Sequence, residues 1–425
     1  MKIIKIKNAN LKEQYYTVQN EFDLKIVLYP MPNFSSTIAM FATHFGSINS
    51  NFTTQNNQNY IVPDGVAHYL EHKLFETDGP NSTFNLFAQN GASVNASTSY
   101  DTTNYYFSCT SNFENSLKIL INCVQTPHFT PENIQKERGI IEQEIKMIAD
   151  KPEEQLILNC LQALYHNHPI RLSISGSEKS ITQIDVNILT TCYKTFYNLN
   201  NMSIIIAGNF NLESTITTIE DNLKTTKNPI KIQTNFPNEP LNVASHFVEV
   251  KMPVLITYFC FGYKLTPCKK NNLLKQLLIF ELICEMLTGD GSNLFHQLLN
   301  QNLVTGGLLS SEVIAGEGYF SILFSGQSTN YKKVFELLNA TILHAQKNGF
   351  DNQLFNLVKK QAYCEHIMKF NSVKSVAQTM LESFILNCDV FEQINTIANI
   401  TLNDLNEQVQ QINLANNSIS IVKSK

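Results

Sequence analysis

Charged side chains are scarce. Asp, Glu, Lys and Arg together make up 16% of the 425 residues, and a net charge of -5 with an isoelectric point near 6.1 leaves no basic excess. A nucleic-acid partner, which proteins hold through clustered Lys and Arg, is therefore not expected. Asparagine supplies much of the polar surface instead, as in residues 198–201. Disulfide patterning is missing too. The nine cysteines form no C-x-x-C pair and sit mostly in apolar settings such as Phe259-Cys260-Phe261, which fits reduced thiols and a cytoplasmic location. Long apolar runs are also lacking. The most apolar window, Leu273 to Leu287, is broken by Lys275, Glu281 and Glu285, so it reads as an amphipathic helix and no membrane span is expected. The start, Met1-Lys2-Ile3-Ile4-Lys5-Ile6-Lys7, alternates like an edge strand and has no signal-peptide core.

What is present is ample core material. Apolar residues form 43% of a chain longer than one core commonly supports, so two or three domains are expected. Strands are expected at residues 22–29 and 36–45, then a polar loop at 46–63, a helix from Asp64, and a short helix at 83–90 after a turn at 77–82. Two strands lie within 92–107, and helices are expected at 112–125, from Pro131 to about Lys151, at 153–166 and at 182–197. A buried strand at 201–208 closes this half. Residues 226–246, with Pro229, Pro237 and Pro240, read as a linker between domains at 1–225 and 247–425. Beyond it similar elements return: a strand-like stretch at 247–263, helices at 271–287, 293–301, 331–348 and 351–370, and strands at 318–326 and 418–422. Two halves of this kind suggest duplication of one α+β unit.

The chemistry concentrates in His68-Tyr69-Leu70-Glu71-His72. Positions four apart share a helix face, so the imidazoles of His68 and His72 can reach one ion together. Glu71 is close enough to an open coordination position to take a proton from a bound water. The order H-x-x-E-H is the inverse of the commoner zinc-peptidase motif H-E-x-x-H. A hydrolytic zinc site needs a third ligand, and the helix after Pro131 offers Glu137, Glu142 and Glu144. Glu137 and Glu144 are two turns apart on one face, which makes Glu144 the ligand and Glu137 the carboxylate that orients a histidine. Glu142, two residues from Glu144, is the competing assignment.

These stretches resemble the pitrilysin-type zinc peptidases, the inverted-zincin family. The resemblance also takes in Gly91-Ala92-Ser93-Val94-Asn95-Ala96-Ser97-Thr98 with Thr103 and Tyr105, His168-Pro169-Ile170 with Gly176, and residues 201–208. It covers nearly the whole chain as a half-size bacterial type. It implies an α+β fold of two homologous domains, each a mostly antiparallel sheet covered by helices on one face. It implies zinc held by His68, His72 and Glu144, with Glu71 as base and Glu137 assisting. It further implies a strand around Asn95, Ala96 and Ser97 that binds peptide by adding it to the sheet. The second half departs from the family pattern. After Gly291-Ser292-Asn293-Leu294-Phe295, where active members carry an Arg and a Tyr about seven residues apart for the substrate main chain and oxyanion, residues 296–307 hold neither. The resemblance therefore points to a zinc endopeptidase subunit that needs a homologous partner, in a heterodimer or a homodimer. The competing reading is a catalytically idle peptide-binding or assembly subunit.

Other candidates read as structural. His44, His128, His166 and His168 are isolated, the cysteines fit cores, and Met286, Met368 and Met380 fall in helical apolar stripes.

Overall fold

The computed structural model describes residues 2–55, 57–75, 82–224, 229–304 and 309–424. The turn expected at 77–82, the beginning of the expected linker and Thr305 to Gly307 fall wholly or largely outside them. The protein is a mixed helix and sheet structure, 47% helical and 23% strand, with mostly antiparallel sheets.

It divides into two compact units that do not follow the chain in a simple split. Unit 1 comprises Met1–Ile145, Ser173–Asn235 and Ile367–Val390, and unit 2 comprises Lys146–Leu172, Phe236–His366 and Phe391–Lys425. The Asn235/Phe236 junction falls inside the stretch read as a linker, but each unit also takes in a segment from the other half of the chain.

The strands of unit 1 are β1 (Lys2–Asn8), β2 (Glu13–Gln19), β3 (Lys25–Pro30), β4 (Thr37–Thr43), β5 (Asn51–Thr54), β6 (Asn59–Ile61), β7 (Ser93–Thr98), β8 (Thr103–Cys109), β9 (Met202–Gly208) and β10 (Ile232–Thr234). The main sheet has the order β1-β2-β3-β9-β4-β8-β7, with only β3 and β9 parallel. Ala39, Phe41, Ile204 and Ile206 point into a core shared with the helices α1 (Val66–Phe75), α2 (Thr83–Gln89), α3 (Phe113–Gln125) and α4 (Pro131–Ala149), through residues such as Leu70, Phe87, Leu117 and Ile141. Every residue of β4 and β9 is nevertheless buried. Side chains alternate across a strand, so Met40 and Ile205 face the other way. They are covered by the helix Val373–Leu386, which lies against β4 and β9 and buries Val376, Ala377 and Met380. The main helical layer thus lies on one face, and the central strands receive one further helix on the other.

The stretch 46–63, expected as a loop, supplies β5 and β6, which pair with β10 from residues 232–234 in the small sheet β10-β5-β6. Its strands lack apolar alternation and are held by side-chain hydrogen bonds, including Asn235 Nδ2 to Thr53 Oγ1 and to Asn59 Oδ1, with Phe52 stacked on Tyr60.

Unit 2 repeats the pattern with β11 (Phe247–Lys251), β12 (Tyr258–Lys264), β13 (Ser310–Gly316), β14 (Tyr319–Gln327) and β15 (Asn417–Lys423) in the order β11-β15-β12-β14-β13. Again one pair, here β11 with β15 at the edge of the sheet, is parallel and the rest are antiparallel. Residues 247–263 form two strands, not one, because the chain leaves the sheet at Met252-Pro253, where proline cannot donate to a ladder. The helix α5 (Pro152–Leu164) lies on β12 and β15, the positions that Val373–Leu386 occupies in the first sheet. A Cβ at Gly262 would come within 2.7 Å of Cys160 Sγ and 2.8 Å of Leu164 Cδ1, so α5 sits against bare backbone.

Candidate metal centre

The site lies in unit 1, on α1 and α4. Gly65 adopts φ +89° just before α1, and a side chain there would meet the carbonyl of Ser175 at 2.5 Å, so only glycine fits this entry. The helix buries Val66, Ala67, Tyr69, Leu70, Leu74 and Phe75, which leaves the face bearing His68, Glu71 and His72 turned toward α4 and the end of β7. Tyr69 donates to the carbonyl of Ile134 at 2.6 Å and Lys73 to that of Asn133 at 3.3 Å, tying α1 to the first turn of α4. On α4, Ile134 and Ile141 enter the core, and Glu137, between them on the same stripe, is only 3% exposed. Glu144 lies two turns further on.

His68 Nε2 stands 3.6 Å from Glu144 Oε1, and His72 Nε2 stands 3.3 Å from Glu144 Oε2. One donor atom from each of the three residues lies within 4.8 Å of the others. Ligands about 2.0 to 2.1 Å from a shared tetrahedral centre stand roughly 3.3 Å apart, so the spacing suits a small divalent ion. The donor set, two imidazole nitrogens and a carboxylate, suits zinc. Of the three carboxylates on α4 considered from sequence, the structure brings Glu144 to the histidines as a donor and Glu137 to His72 from behind. Glu142 is not in the cluster.

Glu137 fixes the direction of His72. Its carboxylate accepts from His72 Nδ1 at 2.8 Å, which leaves Nε2 to face Glu144. Burial works to lower the His72 pKa, but the hydrogen bonds with Glu137 and Glu144 outweigh it and raise the value to about 9. Hydrogen bonds with the two histidines hold Glu144 far below the usual carboxylate range. His68 has no such support: its Nδ1 is buried without a partner among the described residues, and its ring rests edge-on against His72 at 4.6 Å.

Glu71 points to the sheet. Its Oε2 accepts from Thr98 Oγ1 at 2.5 Å, at the last residue of β7. Thr98 lies in the stretch that carries the family resemblance, which assigns it no role. The signal was the alternation Val94, Ala96, Thr98, which puts its side chain on the same face as α1. β7 is an outer strand of its sheet. Asn95 and Ser97 expose their side chains, and Ala96 packs on the core. The Ala96 N–H is taken by Asn95 Oδ1 at 2.8 Å, which places that donor on the open edge and not in the β8 ladder.

The structure gives His168 a structural setting. Burial lowers its pKa to about 4, and its Nε2 bonds the carbonyl of Glu317 at 3.0 Å. In the second half, Ser292 caps the helix Asn293–Asn300 by accepting from Phe295 N. The sequence contains no arginine after Arg171.

Residues 35–178 match the family model described as Insulinase (Peptidase family M16), and residues 183–362 match the one described as Peptidase M16 inactive domain. A Bacillus subtilis protein named as an uncharacterized zinc protease, YmfH, is 32% identical over 414 residues, covering 96% of this chain and 95% of the relative. The chain belongs to peptidase family M16. The crystal structure of an M16-like peptidase from Alicyclobacillus acidocaldarius superposes with a TM-score of 0.93 at 31% identity, covering 97% of this chain and 98% of that one. Pitrilysin shares the M16 fold, with a TM-score of 0.76 at 17% identity, and this chain covers 99% of its own length but 46% of that chain. None of the described helices is long and apolar enough to cross a membrane.

Proposed function

We propose that this M16 chain is the zinc-bearing subunit of an endopeptidase that cleaves peptides or small unfolded proteins and works with a homologous partner. The observation that carries the reading is the convergence of His68, His72 and Glu144 beside Glu71. His68, His72 and Glu144 would hold the ion, and Glu137 would keep His72 aimed at it. When bound there, zinc supplies an activated water and a Lewis acid for the scissile carbonyl. Glu71 takes the proton of the attacking water and passes it to the leaving amine as the C–N bond breaks, so it ends the cycle ionised.

The open edge of β7 suits an extended peptide. Natural edge strands are commonly guarded by lysine, as β1 is by Lys2, Lys5 and Lys7, whereas β7 carries no charge. A substrate strand would displace the Asn95 amide from the Ala96 N–H and pair mainly through its backbone, so sequence preference would be broad. The absence of arginine beyond Arg171 supports dependence on a partner that supplies the Arg and Tyr. An oxyanion site lacking a donor loses a factor of roughly 100 to 1,000 in rate. A cytoplasmic location fits nine free cysteines.

Glu71→Gln tests the reading. The variant should bind zinc like the native chain and lose at least about 100-fold in peptide cleavage within the partnered complex. Undiminished cleavage by that complex would favour the idle, peptide-binding role for this chain.

A further inference from the structure

We infer that Thr98 is a positioning residue for Glu71, linking the strand that receives the peptide to the carboxylate that acts as base. The inference rests on the peptidase reading above and adds a residue that reading does not use.

The Thr98 hydroxyl has one proton and two nearby acceptors. Glu71 Oε2 is 2.5 Å away and Thr103 Oγ1 is 3.4 Å away. Thr103 donates its own proton to the carbonyl of Phe45 at 2.7 Å, so the longer contact gains nothing from either side. The Thr98 proton therefore goes to Glu71. A glutamate on a helix surface has three side-chain torsions to restrict before it can act in one geometry, and this bond fixes one carboxylate oxygen while leaving the other free to receive a proton. Thr98 is uncharged, so it orients the base without adding a competing ion.

The same residue ends β7. Backbone groups alternate between the two sides of an antiparallel strand, so Thr98, two residues after Ala96, presents its main chain to the same open edge. A peptide paired along that edge would reach the residue that holds the base. Binding and orientation of Glu71 are thereby coupled through one side chain.

Thr98→Val removes the hydroxyl at nearly constant volume, and Thr98→Ser keeps it. The first measurement needs no catalysis: unfolding temperatures of the zinc-loaded full chain with Thr98→Val, Glu71→Ala and both together. The shifts should fall short of additivity, because both changes break the same bond. The second is single-turnover cleavage of a quenched fluorescent peptide at rising concentrations of the partnered complex. Thr98→Val should lower the maximal rate by about tenfold to a hundredfold, leave half-saturation and zinc content unchanged, and be rescued by Thr98→Ser. Additive unfolding shifts, a rate that survives in Thr98→Val, or serine as impaired as valine would each overturn the inference alone. A native complex that cleaves no faster than its Glu71→Gln form would instead overturn the peptidase reading, and this inference with it.

Discussion

At the residue scale, His72 stands between two carboxylates with opposite roles. Glu137, on the Nδ1 side, is nearly fully buried, whereas Glu144, facing Nε2, has 37% of its side chain exposed. Together they raise the imidazole pKa to about 9 despite burial, so below that pH the metal-free ring is an imidazolium. A ligand nitrogen must be unprotonated, and Glu144 is already ionised across the ordinary range. Zinc uptake near pH 7.5 should therefore release about one proton from His72, and zinc affinity should weaken as the pH falls below about 9. Calorimetric titration with zinc in buffers of different ionisation enthalpy measures this directly. Uptake with no proton release would mean that the ring is already neutral and that the Glu137 contact is weaker than its 2.8 Å distance implies. The residues of this cluster were legible in the sequence because helical spacing fixes which side chains share a face. Choosing Glu144 over Glu142 is the same argument, since the two differ by about 200° around α4. The bond from Thr98 was less legible, since it joins residues 27 apart on different elements.

At the element scale, β7 is the strand proposed to receive the peptide. Its proposed role separates its residues by the direction of their N–H groups. Ala96→Pro removes a donor from the open edge, where proline is tolerated in strands, and should weaken peptide binding at least tenfold while leaving the unfolding temperature within a few degrees. Ser97→Pro removes a donor on the β8 side and should destabilise the unit itself. Fluorescence anisotropy with a labelled peptide and a thermal melt distinguish the two. Equal loss of binding without loss of stability in both variants would contradict the edge assignment. Elements with strong periodicity, such as α3, α4 and Met202–Gly208, appear where apolar spacing puts them. The sheet β10-β5-β6 does not announce itself, because asparagine and threonine side chains hold it and no apolar alternation marks it.

At the scale of the whole molecule, the duplication suggested by the sequence is matched by two sheets of equivalent strand order, but periodicity carries no sign of which sheet each helix covers. The helix near 153–166 was legible from its pattern, whereas its place on β12 and β15, about 100 and 260 residues later, is a tertiary choice that periodicity cannot specify. The helix Val373–Leu386 makes the reciprocal contact, covering the face of β4 and β9 that bears Met40 and Ile205. A chain cut at the Asn235/Phe236 junction would lose that cover. The fragment 1–235 should consequently be aggregated or lack a cooperative thermal transition, while adding residues 236–425 as a separate chain during folding should restore one. A sharp melt of the fragment alone would show that the exchanged helix is dispensable.

The claim on which the functional account depends is that residues far apart in sequence hold one ion between α1 and α4. Zinc-edge anomalous diffraction from crystals of the zinc-loaded chain measures it most directly. A single strong peak is expected about 2 Å from Nε2 of His68, Nε2 of His72 and a carboxylate oxygen of Glu144. No peak there, or one coordinated by other residues while this cluster stays empty, would contradict it.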